Sequence, residues 1–162
     1  FDPDCYLKRA PGAKDKTSEQ LWKDYKASGW KPRVFPNRYF DPAFYRLFVT
    51  DQEAAKFRTP LHHYIAEGAR AGVPPSWIYD DAFYLATYPD IAEAIRAGVF
   101  VCGFEHFVQH GAREGREGCG YFNEASYLAL NPDVAASLDA GQSRSGEAHY
   151  LMHGHGEGRR PG

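Results

Sequence analysis

The chain has 162 residues, 43% hydrophobic and 25% charged, the balance of a globular chain long enough for one domain or a short solenoid. No run of about 18 apolar residues is present, which excludes a membrane-spanning helix. A formal net charge of −2 argues against nucleic acid as the partner.

An aromatic residue recurs at Phe1, Phe40, Tyr79 and Phe122, spaced 39, 39 and 43 residues apart. Five residues further on stand Tyr6, Tyr45, Tyr84 and Tyr127, and a closing glycine recurs at Gly29, Gly68, Gly111 and Gly154. A period near 40 is the signature of a repeat architecture. It divides the chain into segments 1–39, 40–78, 79–121 and 122–162.

In the first segment Asp2-Pro3 starts a helix, because the carboxylate can accept a backbone N–H and proline fits the first helical position. Residues 10–14 read as a loop. A second helix is predicted from about Glu19 to Ser28, with Leu21, Trp22 and Tyr25 on one face, ended by Gly29 as a left-handed cap. A connector follows at residues 30–36.

In the second segment Asp41-Pro42 opens a helix with Phe40, Phe44, Leu47 and Phe48 at helical spacing. Residues 51–57 predict a short helix, and Thr59-Pro60 starts another that runs through Leu61, Tyr64 and Ile65 to Gly68. The third segment breaks between Tyr88 and Pro89, since the residue before proline leaves the helical region. Its last helix carries Phe104, Phe107 and Val108 and closes at Gly111. The fourth copies this plan, with Asn131 as cap before Pro132.

No stretch alternates apolar and polar residues over strand lengths. The predicted fold is therefore all-α, a solenoid-like array of four units of about 40 residues, each with two to three short helices. A single unit buries little apolar area, so the eleven Tyr and eleven Phe are expected to fill the joints between units. Beginning and ending on a segment boundary without an initiator Met, the chain reads as a module of a larger protein.

Charge is uneven. Residues 1–39 hold nine Lys/Arg against five Asp/Glu (+4), residues 40–78 balance, residues 79–121 carry −4 and residues 122–162 carry −2. The basic end suits an anionic partner. Cys5, Cys102 and Cys119 are odd in number and read as occupying no repeated position; a Cys102–Cys119 disulfide stays open. His63, His106 and His149 recur at one position, and bridging helices through the ring nitrogens suits them better than metal ligation. No GxSxG, GxxxxGK[ST] or HExxH is present. No catalytic residue, metal site or cofactor is expected.

The pattern F-D-x-x-x-Y-L-x-x-N-P-D-V-A, a spacer, then H-Y-x-x-x-G-x-x-E-G-R is carried best by Phe122, Tyr127-Leu128, Asn131 to Ala135, His149-Tyr150, Gly154 and Glu157-Gly158-Arg159. The third segment keeps Tyr84-Leu85, Pro89-Asp90-Ile91-Ala92, His106-Phe107, Gly111 and Glu114-Gly115-Arg116. The second keeps Phe40-Asp41, Tyr45, His63-Tyr64 and Gly68 but lacks Pro-Asp and Glu-Gly-Arg, and the first keeps mainly Phe1-Asp2, Tyr6-Leu7 and Gly29. This resembles a helical repeat of bacterial surface proteins, also found beside glycosyltransferases of surface-glycan pathways. The resemblance implies a non-catalytic accessory module, placed outside the cell or on a cell or virion surface. A bacterial surface polysaccharide (capsule or lipopolysaccharide) is the partner expected from it, in a receptor-binding or anchoring role within a larger surface or phage-like assembly of subunits. A protein-interaction scaffold and an accessory domain of a glycosyltransferase are the alternatives.

Guanidinium forks can hold the hydroxyls or carboxylates of an acidic sugar, and an indole can stack on a sugar face. The expected ligand-binding residues are accordingly Trp30, Lys31, Arg33, Arg70, Trp77, Arg113, Arg116, Arg159 and Arg160. Lys23, Lys26 and Arg38 add to the basic surface of the first segment.

Overall fold

The computed structural model describes residues 1–9, 13, 15–31, 33–140 and 145–162; most of the loop expected at residues 10–14 lies outside them. Among the described residues the fold is helical, with no β-strand. None of the helices is long and apolar enough to cross a membrane. The chain divides into two compact units, Phe1–Trp77 and Ile78–Gly162.

The first unit holds α1 (Pro3–Arg9), α2 (Ser18–Ser28), α3 (Pro42–Arg46), α4 (Asp51–Ala54) and α5 (Pro60–His63), which continues as a π-helical turn, Tyr64–Gly68. Here α1 packs on α2, and both α3 and α4 pack on α5. The second unit holds α6 (Asp81–Thr87), α7 (Pro89–Arg96) and α8 (Gly103–His106) with the π turn Phe107–Gly111. It continues through α9 (Glu124–Leu130), α10 (Pro132–Asp139) and α11 (Gly146–His149) to the π turn Tyr150–Gly154. Within it α6, α7 and α8 pack on one another, as do α9, α10 and α11.

The start signals act as expected where a short polar side chain precedes the helix. Asp2, Asp41, Asp80 and Asn123 accept backbone N–H groups at the starts of α1, α3, α6 and α9. Thr17 and Thr50 complete capping boxes with Gln20 and Glu53. Asn131 differs: it stands at the N-cap position of α10 without capping it. Its Nδ2 donates back to Tyr127 O at 2.8 Å, while its Oδ1 accepts from Arg159 at 2.9 Å.

Aromatic rings cluster inside each of the last three segments. Phe40, Tyr45 and Tyr64 form one cluster, Tyr79, Tyr84, Phe104 and Phe107 another, and Phe122, Tyr127 and Tyr150 a third, with centroids 5.0–5.8 Å apart. Such contacts contribute about 0.5–1.5 kcal/mol each beyond the area they bury. Backbone bonds also close the segments: Asp2 N–H reaches Pro36 O, Asp41 reaches Pro75 O, Asp80 reaches Gly118 O and Asn123 reaches Pro161 O.

One expectation changes, at Gly29, which has the positive φ of a left-handed cap, 67°, but a ψ of −140° outside it. Gly68, Gly111 and Gly154 have no positive φ at all. They are glycines because a Cβ there would overlap the hydroxyl of Tyr45, Tyr84 or Tyr127. The left-handed positions fall four residues later, at Gly72, Gly115 and Gly158, each with φ 71°.

Overpacking at such a site costs about 1–3 kcal/mol, so Gly111→Ala should lower the thermal midpoint by several degrees. Combining it with Tyr84→Phe, which removes the clashing oxygen, should recover part of the loss. Strictly additive single losses, read by circular dichroism, would show that the hydroxyl is not what excludes a side chain there.

Candidate functional site

The recurring histidines face inward. His63, His106 and His149 are the last residues of α5, α8 and α11, and Nδ1 of each is hydrogen-bonded to the hydroxyl of Tyr45, Tyr84 or Tyr127 at 2.6, 2.8 and 3.0 Å. A neutral ring with its hydrogen on Nε2 accepts the tyrosine O–H at Nδ1. Burial lowers the pKa of all three histidines and raises that of the tyrosines, Tyr127 to about 12. Each pair therefore stays uncharged and ties two helices of its segment together. Among the described residues no three His, Cys, Asp or Glu side chains gather as a metal site requires.

The arginines of the two Glu-Gly-Arg loops are occupied as well. Arg116 makes a bidentate pair with Asp90 at 3.0–3.2 Å, donates from Nε to Glu114 Oε2 at 2.7 Å and lies 4.8 Å from the Tyr88 ring centroid. Arg159 repeats this with Asp133, Asn131 and Glu157 at 2.6–2.9 Å. Pro-Asp and Glu-Gly-Arg are thus two halves of one clamp, which explains why the second segment lacks both. The arginine holds Asp90 and Asp133 below the usual carboxylate range.

The remaining expected ligand residues fall into two groups. Trp30 donates its indole N–H to Phe57 O at 2.8 Å, and its ring is taken up by Tyr45, His63 and the Arg46 guanidinium. Trp77 is half-buried at the end of the first unit. Lys31, Arg33, Arg70, Arg113 and Arg160 are exposed and have no ion-pair partner among the described residues. Of the other bases in the first segment, Lys23 pairs with Glu19 at 3.2 Å and Arg38 with Asp2 at 3.1 Å.

The first unit contains a cleft of about 410 Å³ lined by Trp22, Lys26, Arg58, Thr59, Leu61, His62 and Ile65. None of the nine expected ligand residues lines it. Sequence reasoning passed over Arg58 and His62, although one signal pointed there. Four residues before Lys23 stands Glu19, whereas four residues before Lys26 stands Trp22, so the Lys26 charge has no acidic helix neighbour on that side.

The cysteines need a correction. Cys5, Cys102 and Cys119 are buried free thiols, so what changes is the position of one of them. Cys102 also occupies a recurring position, preceding α8 as Thr59 precedes α5 and Ser145 precedes α11. Thr59 and Ser145 cap their helices and Cys102 does not, because a thiol is a weak acceptor. The Asp81 carboxylate serves the Gly103 and Phe104 N–H groups instead, and burial pushes the Cys102 thiol up to about 11.

One acid is left exceptional. Glu147 is buried, its Oε1 has no hydrogen-bond partner among the described residues, and Glu124 and Glu117 face it. Burial first, and these like charges second, raise its pKa well above the ordinary 4.5.

The folded state therefore keeps a proton on Glu147 where the unfolded state has lost it. Stability from this group is present below pH 4.5 and falls as pH rises toward the folded-state pKa. Glu147→Gln should flatten that fall and raise the midpoint at pH 7 by about 2–4 °C, the effect of 1 kcal/mol at this chain length. An unchanged pH profile would place the ionising group elsewhere. For the clamp, a double-mutant cycle of Arg116→Ala with Asp90→Ala should show favourable coupling, while independent losses would reduce it to a surface contact.

Compared with known proteins, the chain matches no family model, no curated protein and no solved structure.

Proposed function

We propose that the chain is a non-catalytic binding module, a solenoid-like array of four units, that recognises an acidic bacterial surface polysaccharide as a receptor-binding or anchoring part of a larger surface assembly. The observation that carries this reading is how the cations are used. Arg116 and Arg159 of the second unit are bound by their own carboxylates, and its exposed cations without such a partner among the described residues are Arg113 and Arg160. In the first unit Lys31, Arg33, Arg58 and Arg70 are exposed, and neither they nor Lys26, which lies over the Trp22 ring at 5.2 Å, has an ion-pair partner among the described residues. Unpaired cations are ready to meet an anionic polymer at no cost in broken salt bridges, and a polymer can engage several in turn.

The second reading is a protein-interaction scaffold. It draws support from Leu47 and Phe48, 79% and 50% exposed on consecutive positions after α3, since exposed apolar side chains in one patch suit a protein partner.

Binding of the chain to a panel of purified acidic and neutral bacterial polysaccharides, at low and moderate salt, separates the two. Retention on acidic members that weakens with salt is the expected result. No retention on any member, together with loss of self-association or protein capture in Leu47→Ser/Phe48→Ser, would move the function to the scaffold.

A further inference from the structure

We infer that the cleft between α2 and the start of α5 is a sugar-binding subsite selective for a residue that carries a carboxylate; this deepens the polysaccharide reading and rests on it. Its walls differ in chemistry. Trp22 and Lys26 lie one turn apart on α2, and Arg58, Thr59, Leu61, His62 and Ile65 come from the segment that enters and continues α5. The lining contains a lysine, an arginine and an imidazole but no carboxylate.

Three features make it a site. First, the Arg58 guanidinium has no hydrogen-bond or ion-pair partner among the described residues, whereas Arg38, Arg46, Arg116 and Arg159 each hold a carboxylate of the chain. Its planar fork is open for a bidentate carboxylate. Second, Trp22 is braced from within, by Phe1 at 5.2 Å and by the stacked Tyr25 at 5.7 Å. The indole is held rigid while it still borders the cleft, so little is lost in ordering it when a ligand arrives. Third, Leu61 forms a buried floor, and Ile65, 48% exposed, an open apolar edge. An apolar surface beside a cation fork matches a pyranose ring, with C–H groups on one face and a carboxylate at its rim. The volume lies near the lower end of the range for small-ligand sites, about 300–1,000 Å³, which suits a short stretch of a chain.

The roles follow from position. Arg58 binds the carboxylate together with Lys26, whose ammonium lies over the Trp22 ring at 5.2 Å and moves from it to the ligand; Trp22 with Ile65 then takes the ring face, and His62 donates to a hydroxyl. Thr59 has a structural duty as the cap of α5, accepting from His62 N–H at 3.2 Å, and contributes no contact of its own.

The test uses a glucuronate-containing oligosaccharide and its carboxyl-reduced neutral counterpart, with binding followed by calorimetry and by amide and indole NMR shifts. The acidic form should bind and shift the signals of Trp22, Lys26 and His62, and the reduced form should bind about tenfold more weakly or worse, the loss of a charged hydrogen bond. Lys26→Gln/Arg58→Gln, two positions with no carboxylate partner to lose, should fold normally and lose binding by a similar factor. Arg113→Gln/Arg160→Gln should bind as the parent chain does. Equal binding by Lys26→Gln/Arg58→Gln and the parent would overturn the cleft while leaving polysaccharide recognition in place. Equal binding of acidic and reduced forms would overturn the carboxylate selectivity. Failure of the parent chain to bind either oligosaccharide or any acidic polysaccharide would overturn both.

Discussion

Each of the last three segments depends on one buried contact, a tyrosine hydroxyl held between a histidine ring nitrogen and a glycine. The tyrosine comes from the first helix of the segment, and the histidine and glycine come from the last. His63 and Gly68, His106 and Gly111, and His149 and Gly154 stand five residues apart. In an α-helix that separation turns the second residue about 140° away from the first. The π turns Tyr64–Gly68, Phe107–Gly111 and Tyr150–Gly154 close one turn on five residues instead and bring both toward the same hydroxyl. The backbone distortion, the loss of a side chain at the glycine and the neutrality of the imidazole share one cause. Aromatic rings then fill the space round this contact, and helices of only four or five residues hold their place through it, although helices so short are marginal by themselves.

The Arg116 and Arg159 clamps operate at the rim of the same segments. They join the start of α7 or α10 to the loop after the π turn, where Gly115 or Gly158 with φ 71° turns the chain so that the guanidinium reaches back. Where the aspartate is missing, in the second segment, the arginine is missing too. Arg46 there bonds Asp51 and the Val49 carbonyl and lies over Trp30. The clamp binds the chain to itself, and its charges cancel locally.

Much of the fold was legible in the sequence because capping and proline chemistry are local. Asp41-Pro42, Thr59-Pro60, Tyr88-Pro89 and Asn131-Pro132 place helix starts from two residues each. The π turns were not legible, since their cause is a tyrosine about twenty residues upstream. Nor was the role of Gly68, Gly111 and Gly154 legible, because a glycine needed for space looks in the sequence like a glycine needed for φ. Cys102 escaped notice as a recurring position because its chemistry differs from that of Thr59 and Ser145, although its spacing matches. Of the candidate ligand residues, the sequence showed correctly that charge concentrates in the first segment. It did not show which charges remain unpaired. That depends on Asp90 reaching Arg116 across 26 residues, and on Arg58 and Trp22, 36 residues apart, lining one cleft.

Pairing decides where an anion can bind more strongly than net charge does. At an ionic strength near 0.15 M the field of an exposed charge decays over about 8 Å, so the difference between +4 and −4 segments steers encounters but does not hold a ligand. Holding requires an unspent donor fork next to a surface that excludes water. Arg116 and Arg159 have the fork, but it is already filled. Trp30 has the apolar ring, but its N–H and ring are committed to Phe57, Tyr45 and Arg46. In the cleft the two properties meet: Arg58 and Lys26 have no carboxylate to give up, and the braced Trp22 and Leu61 supply the apolar wall. The same economy of contacts that closes the second unit on itself leaves the first unit with an open site.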